Sequence, residues 1–179
     1  VGDSITEGVL IDAFRNPFRN DQSNRPFQDD VTATYGWLTA EALDLRPFMM
    51  GYGAVGATRA GCGRVPAAPD SYPYFFDGEP LEGLPAADVI VINHGANDGS
   101  HTPEEYRAGY TRLLDEVRAR SPQAEVFAVS AFCGRQKDTL EALVADYNAA
   151  NKCRVHFINA SEWISPEPLH PHRDGHSVV

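Results

Sequence analysis

The sequence predicts an α/β fold in which a parallel β-sheet lies between two layers of helices. Four short apolar segments have the composition of buried strands. Longer helical patterns separate them, and strands that alternate with helices at this spacing form parallel sheets through helical crossovers. The predicted strands are residues 48–51, 89–93, 126–130 and 155–158, and Val1 is expected to end a fifth strand.

The segment of residues 88–93 is the clearest strand, because its run Val-Ile-Val-Ile is the continuous β-branched pattern of a strand covered on both faces. The helix after it has a complete start signal. Thr102 is the expected N-cap, Pro103 takes the first helical position, and Glu105 completes a capping box. The apolar stripe of this helix is Tyr106, Tyr110, Leu113, Leu114 and Val117.

Two further helices are predicted from similar patterns. One has Asp138 and Glu141 as its expected capping pair, and its apolar stripe is Leu140, Leu143, Val144 and Tyr147. The other is shorter and covers residues 35–45. Its residues expected to face inward are Leu38, Ala42 and Leu45.

Length and composition indicate one ordinary globular domain over residues 1–179, with 42% hydrophobic and 22% charged residues. The net charge of −10 argues against a nucleic-acid partner, which needs a clustered positive surface. No apolar run approaches the roughly 20 residues of a membrane-spanning helix. The three cysteines lack the spacing of a zinc site, so no metal is expected.

Both ends of the sequence are interpreted as truncated, because Val1 directly precedes a glycine turn and a helix is expected to begin near Val179. A signal peptide upstream would change the compartment, so a cytoplasmic or a secreted location stays open. The oligomeric state is open too. So is the disulfide state of Cys62, Cys133 and Cys153.

Three short motifs follow predicted strands and are expected to meet at one edge of the sheet, where ligands of open α/β sheets bind. Gly2-Asp3-Ser4 places a serine there, and a serine beside a base can attack a carbonyl. The glycines of residues 51–56 allow a backbone N–H to approach a ligand, and the amide of Asn97 can donate to an oxyanion. The alternatives are a capping serine, a plain glycine turn and a turn asparagine.

A histidine near the end of the chain supplies the candidate base. His170 stands in the proline-flanked loop Glu167-Pro168-Leu169-His170-Pro171, after the last predicted strand. Glu167, three residues earlier, is suited to orient the second ring nitrogen of His170. The alternative is a solvent-exposed loop histidine.

Together these motifs, in this order along the whole chain, resemble the SGNH hydrolase superfamily, also called GDSL esterases and lipases. Gly2-Asp3-Ser4 is similar to the serine block, and residues 51–56 are similar to the glycine block, although they begin with Gly where the family usually has Asn. Gly95-Ala96-Asn97-Asp98 resembles the Gly-x-Asn-Asp block. His170-Pro171, followed by Asp174-Gly175-His176, resembles the last block.

The resemblance implies a flavodoxin-like three-layer α/β/α sandwich with a five-stranded parallel sheet, and it implies no metal or organic cofactor. It implies Ser4 as nucleophile and His170 as base. The Ser4 N–H, the Gly56 N–H and the Asn97 side chain would form the oxyanion hole. The family usually has Asp three residues before the histidine, so Glu167 is a departure from its pattern.

Four other polar residues near these motifs receive weaker assignments. His176 is the rival base, and the short helix expected after it favours His170 instead. His94 adjoins Asn97, so it is expected either to line the cleft or to make a structural hydrogen bond. Asp3 and Asp98 carry the family pattern and are interpreted as structural.

The predicted function is hydrolysis of a short O-acyl ester, an acetyl group on a carbohydrate, with a small molecule or a polysaccharide as substrate. The polar stretch of residues 11–32 and the aromatic stretch of residues 72–76 are expected at the cleft mouth, with Tyr74 and Phe75 contacting sugar rings. The alternative for these aromatic residues is to hold a long loop on the domain. Alternative functions are a lipid esterase, lysophospholipase or thioesterase, a non-catalytic carbohydrate-binding module on this scaffold, and a flavodoxin-like nucleotide binder. The last lacks a good phosphate loop, since Glu7 is acidic.

Overall fold

The computed structural model describes residues 1–12, 28–76, 78–151, 153–165 and 168–179. The helices among these residues are α1 (Ser4–Glu7), α2 (Tyr35–Ala42), α3 (Ala68–Ser71), α4 (Pro103–Arg120), α5 (Lys137–Asn151) and α6 (Arg173–Ser177). The strands are β1 (Tyr74–Phe76), β2 (Glu79–Pro80), β3 (Val89–Asn93), β4 (Glu125–Val129) and β5 (Val155–Ile158). Single 3-10 turns lie at Val31–Ala33 and Cys62–Arg64.

The main sheet is parallel and has the strand order β3-β4-β5. Val89 lies opposite Glu125, and Val126 lies opposite Val155. The predicted bounds of β3 and β5 are confirmed, and β4 begins one residue before its prediction. These strands alternate with α4 and α5, as the crossover pattern predicted.

The prediction of five regular strands is not met among the described residues. Gly2 forms isolated parallel bridges with Asn93 on one side and Gly51 on the other. The pairing goes no further because Asp3 already caps α1, so Gly2 is the last extended residue before a helix. Within the predicted strand of residues 48–51, the bridge involves Gly51, while Phe48 is 55% exposed. Five parallel segments still end at one edge, in the order 50–51, 1–2, β3, β4 and β5.

The sheet separates two apolar clusters, which gives the predicted helix-sheet-helix layering. On one face the predicted stripes of α4 and α5 are buried, together with alternate strand residues such as Ile92 and Val126. On the other face Ile5 and Tyr35, from α1 and α2, pack with Val129. The predicted capping box of α4 is present, with Thr102 and Glu105 each bonded to the other's backbone. The predicted capping box of α4 and the predicted apolar stripes of α4 and α5 therefore agree with the structure.

The peripheral helices differ from their predictions. α2 ends at Ala42 rather than residue 45, and Ala42 and Leu45 are exposed. Its buried residue is Tyr35, in the first turn, because that turn packs against the second apolar cluster. Asp138 lies inside the first turn of α5, which begins at Lys137, and so it is not an N-cap.

The stretch of residues 61–85, which is rich in proline and glycine, contains α3 and an antiparallel hairpin of β1 and β2. All three cysteines are described and none forms a disulfide; Cys62 is exposed. No described helix has both the length and the apolar character that crossing a membrane requires.

Candidate active site

Ser4 begins α1, directly after the bridge that Gly2 makes with the sheet. The carboxylate of Asp3 caps this helix, with Oδ1 accepting from the Ile5 N–H at 2.9 Å. The helix ends after one turn because Gly8 takes a left-handed conformation with φ 86°. Among the described residues no acceptor is hydrogen-bonded to the Ser4 N–H. Ser4 therefore presents a hydroxyl and an open backbone donor together.

His170 reaches Ser4 from the segment between β5 and α6. Its Nε2 lies 2.8 Å from the Ser4 Oγ, although 166 residues separate them in sequence. Both side chains are half-buried, so solvent and substrate still have access to them. This distance is that of a nucleophile and its base. Glu167, the predicted orienting carboxylate, lies outside the described residues.

The side chain of His176, the rival base, contacts Tyr35. Its Nδ1 accepts from the Tyr35 N–H at 3.1 Å, and its ring stacks on the Tyr35 ring with centroids 6.1 Å apart. Burial, together with the nearby His170, lowers the pKa of His176 to about 4. His176 thus anchors α6 on α2, and the histidine in contact with Ser4 is His170.

Asn97 connects the serine motif to the glycine motif. Its Nδ2 donates to the Asp3 Oδ2 at 3.0 Å and to the Val55 carbonyl at 3.1 Å. These bonds use both amide hydrogens and fix the side chain next to the start of α1. The side chain is half-buried. The predicted oxyanion donor therefore lies beside the predicted nucleophile, with its amide oriented by a carboxylate.

Gly56 follows Val55, whose carbonyl accepts from Asn97, but the backbone N–H of Gly56 already has a hydrogen-bond acceptor. It donates to the Arg59 carbonyl at 2.9 Å within a turn. A side chain at this position would collide with Asp98, since a Cβ would lie 2.4 Å from Oδ1. The glycine is therefore required by the neighbouring carboxylate. Its role as an oxyanion donor stays a prediction.

Asp98 is the buried carboxylate that holds the glycine loop. Oδ2 accepts from the Ala57 N–H at 3.1 Å, and Oδ1 accepts from the Thr58 N–H at 2.9 Å and from the Thr58 Oγ1 at 2.6 Å.

The glycine loop begins with Gly51, where the family usually has asparagine, and this departure has a local cause. A Cβ on Gly51 would lie 2.4 Å from the backbone nitrogen of Glu7, so α1 leaves no room for asparagine.

The pKa of Asp3 is strongly perturbed. It is raised to about 7, mainly by burial, with the charges of Asp98 and Glu7 adding to the rise and the hydrogen bond from the Ile5 N–H opposing it. Asp3 and Asp98 both accept hydrogen bonds from segments of the site, and the interpretation of both as structural stays a prediction.

The residues predicted to bind substrate lie less favourably. His94 is 1% exposed, so its side chain is inside the core and does not line an open cleft in this conformation. Burial lowers its pKa to about 4. Tyr74 and Phe75 are 40% and 39% exposed on the hairpin. Phe75 packs edge-on against Phe48, and none of the described ring contacts or hydrogen bonds joins the hairpin to Ser4 or His170.

Sequence reasoning missed the residues that hold the Asn97 loop from the far side. The Arg135 Nη1 donates to the Ala96 carbonyl at 2.6 Å. The Gln136 Nε2 donates to the carbonyls of Asp98 at 3.3 Å and His101 at 3.2 Å. Their position, shortly after β4 at the ligand edge of the sheet, was the available signal.

Several solved structures share this fold. A family two carbohydrate esterase from Clostridium thermocellum, in complex with cellohexaose, has a TM-score of 0.81 and 24% identity over 99% of this chain. A family two carbohydrate esterase from Cellvibrio japonicus has a TM-score of 0.76 and 26% identity over 98% of it. An acetyl xylan esterase from Butyrivibrio proteoclasticus has a TM-score of 0.78 and 16% identity over 98% of it. The chain spans 59%, 55% and 59% of their respective lengths.

A comparison with curated protein sequences gives no match. The model of the GDSL-like lipase/acylhydrolase family matches residues 1–178, nearly the whole chain. That match agrees with the four sequence motifs and with the fold shared with the carbohydrate esterases. The chain therefore belongs to the GDSL-like lipase/acylhydrolase family.

Proposed function

We propose that this chain is a serine esterase that removes a short acyl group, acetyl in the first instance, from a carbohydrate. The observation that carries the proposal is the 2.8 Å contact between the Ser4 Oγ and the His170 Nε2. It brings a nucleophile and a base together at the ligand edge of a parallel sheet, where the Asn97 amide also lies.

The reaction proceeds in two halves. His170 Nε2 takes the proton of the Ser4 hydroxyl while Oγ attacks the ester carbonyl carbon. The tetrahedral intermediate collapses, its bond to the sugar oxygen breaks, and His170 returns the proton to that oxygen. Ser4 then carries the acyl group. In the second half His170 deprotonates a water molecule, which attacks the acyl carbonyl carbon. The second tetrahedral intermediate collapses, its bond to the Ser4 Oγ breaks, and His170 returns the proton to Oγ, so that the acid leaves and Ser4 is free again.

Three groups are proposed to stabilise the negative oxygen of the intermediate. The Ser4 N–H, at the first residue of α1, can donate a hydrogen bond to this oxygen. The Asn97 amide would turn one hydrogen from the Val55 carbonyl to the oxyanion, while its bond to Asp3 keeps it oriented. Gly56 is proposed as a third donor, and its N–H must exchange the Arg59 carbonyl for the oxyanion.

The structural neighbours support a carbohydrate substrate, because their names describe carbohydrate esterases and an acetyl xylan esterase. This chain also exposes aromatic rings suited to sugar faces. Trp163, 47% exposed, lies in the segment that carries His170, and Tyr74 and Phe75 lie on the hairpin. If a sugar ring stacks on Trp163, Trp163→Ala should raise KM for an acetylated polysaccharide without changing kcat for p-nitrophenyl acetate. Tyr74→Ala makes the same test for the hairpin.

The mechanism is tested with a fluorophosphonate probe, which reacts with an activated serine. The wild-type chain should take one label, and Ser4→Ala and His170→Ala should take none. Ser100→Ala, which changes an exposed serine in the Asn97 loop, is the matched control and should label normally. A wild-type chain that takes no label would favour the non-catalytic binding module instead.

The acyl group is tested with p-nitrophenyl acetate, butyrate and octanoate beside acetylated xylan, mannan and monosaccharides. We expect acetate to be the fastest ester and acetate to be released from at least one sugar. Octanoate hydrolysed faster than acetate, with no release from any sugar, would favour the lipid-esterase function.

A further inference from the structure

We propose that Arg173 is a positioning residue for the base: it ties the segment that carries His170 to the segment that continues from Ser4. The proposal rests on the proposed function, because it assigns a role in holding the Ser4–His170 pair together. Arg173 is the first residue of α6, three positions after His170.

The contacts of Arg173 form a fork on two carboxylates. Its Nε donates to the Asp12 Oδ1 at 3.1 Å, and its Nη2 donates to the Asp12 Oδ2 at 2.6 Å. The same Nη2 donates to the Asp30 Oδ2 at 3.0 Å. The paired geometry with Asp12 fixes the plane of the guanidinium as well as its distance. A single point charge would not do so, and lysine is therefore not equivalent here.

Both carboxylates belong to segments that are joined to the nucleophile helix. The Asp12 N–H donates to the Gln28 carbonyl at 3.0 Å, and the Asp30 N–H donates to the carbonyl of Gly8, the C-cap of α1, at 3.0 Å. The Leu10 N–H donates to the Asp29 Oδ1 at 2.8 Å. Residues 8–12 and 28–30 are therefore a connected pair of segments that starts at the end of the Ser4 helix.

Asp30 is also held in place independently of Arg173. Its Oδ1 accepts from the Thr32 N–H at 2.9 Å and from the Thr32 Oγ1 at 2.7 Å, which caps the turn of Val31–Ala33. The hydrogen bonds from Arg173 lower the pKa of Asp12, and the hydrogen bonds from Thr32, followed by that from Arg173, lower the pKa of Asp30. Both carboxylates are thus charged acceptors over the pH range in which a neutral imidazole works.

The other end of α6 has its own attachment, since His176 accepts from the Tyr35 N–H. His170 is six residues before His176, so this hydrogen bond does not hold His170 directly. Arg173 lies between the two histidines and supplies a second fixed point next to the base. With both points held, the loop has little freedom to move the His170 ring away from the Ser4 Oγ. A shift of about 1 Å between reacting groups is enough to lower a rate roughly 100-fold.

The test compares Arg173→Ala and Arg173→Lys with Arg107→Ala. Arg107 is the matched control because it makes an exposed ion pair of the same length, 2.6 Å to the Asp146 Oδ2, on α4 and α5. For Arg173→Ala we expect kcat on p-nitrophenyl acetate and the rate of fluorophosphonate labelling to fall together, roughly 10-fold, with KM unchanged. Arg173→Lys should recover part of the loss, and Arg107→Ala should behave as the wild type.

Three outcomes would overturn the proposal. If Arg173→Ala is labelled as fast as Arg107→Ala, the contacts of Arg173 with the two carboxylates do not position the base. A rise in KM alone would show that Arg173 contacts the substrate. Full rescue by lysine would show that charge is sufficient and the fork is not needed. If Arg173→Ala does not fold, as judged by circular dichroism, Asp12→Asn takes its place with the same expectation. Failure of the wild type to label would instead contradict the proposed function.

Discussion

Gly56→Ala offers a direct measure of how tightly the glycine loop is built. The added Cβ would lie 2.4 Å from the Asp98 Oδ1, 2.6 Å from Oδ2 and 2.7 Å from Cγ. Ordinary van der Waals contact begins at about 3.4 Å, so the loop and the carboxylate must separate by about 1 Å. Hydrogen bonds of 2.9 and 3.1 Å from Thr58 and Ala57 do not survive such a movement.

The magnitude follows from the groups that lose their partners. Each hydrogen bond to a charged group contributes about 1.5–3 kcal/mol, and Asp98 is fully buried. Loss of two such bonds gives a cost of roughly 3–6 kcal/mol. Since domains of this kind are stable by only about 5–15 kcal/mol, Gly56→Ala should come close to unfolding the chain.

The assay is urea denaturation of the variant beside Gly63→Ala. A Cβ on Gly63 would meet nothing within 4 Å, but its φ of 64° is left-handed. That variant isolates the cost of backbone strain, about 1–2 kcal/mol. Thr58→Val, which removes the hydroxyl bond to Asp98 alone, should fall between the two. A Gly56→Ala variant within 1 kcal/mol of Gly63→Ala would refute the reasoning.

Three further predictions concern the polar residues of the site. Asn97→Ala should lower kcat by roughly 10²–10³-fold with little change in KM, measured by steady-state kinetics, and an effect on KM alone would contradict an oxyanion role. The base must be neutral to accept the serine proton, so kcat/KM should fall at acid pH. The His170→Ala variant should be nearly inactive. The His176→Ala variant should keep its activity per folded molecule and lose stability. Burial raises the pKa of Asp3 from 3.8 to about 7, so folding disfavours its charged form, and ionisation of Asp3 costs stability as pH rises from about 4 to about 7. The total is roughly 4 kcal/mol at about 1.4 kcal/mol for each pKa unit, and Asp3→Asn should remove that slope from unfolding free energies measured against pH; an unchanged slope would contradict it.

The sequence was most informative where local chemistry and burial agree. The bounds of β3, the capping box at Thr102 and the buried stripe of α4 depend on short-range patterns that the tertiary structure reinforces. The contact between Ser4 and His170 was predictable for a different reason. Parallel strands bring their carboxyl ends to one edge, so topology alone places residues 166 positions apart in the same cleft.

The rest depended on tertiary contacts that no local pattern shows. Gly2 has a sheet partner on each side, yet the helix cap at Asp3 ends the strand, and among the described residues the parallel sheet has three regular strands rather than five. The Gly56 N–H, whose place in the oxyanion hole stays a prediction, donates to the Arg59 carbonyl, and no local pattern shows this contact. The fork between Arg173 and Asp12 joins exposed charges 161 positions apart, which resemble any other surface residues in the sequence.

The adjacent pair Asn97 and Asp98 connects the serine motif to the glycine loop. Asn97 donates to Asp3 in the serine motif and to Val55 in the glycine loop. Asp98 accepts from the glycine loop in return, through the backbone of Ala57 and its neighbour. One dipeptide thus crosslinks the serine and glycine motifs by opposite hydrogen-bonding directions, which requires an amide followed by a carboxylate. Exchanging the two side chains would place a carboxylate against Asp3 and a carbonyl, so the order of the pair follows from the chemistry of its partners.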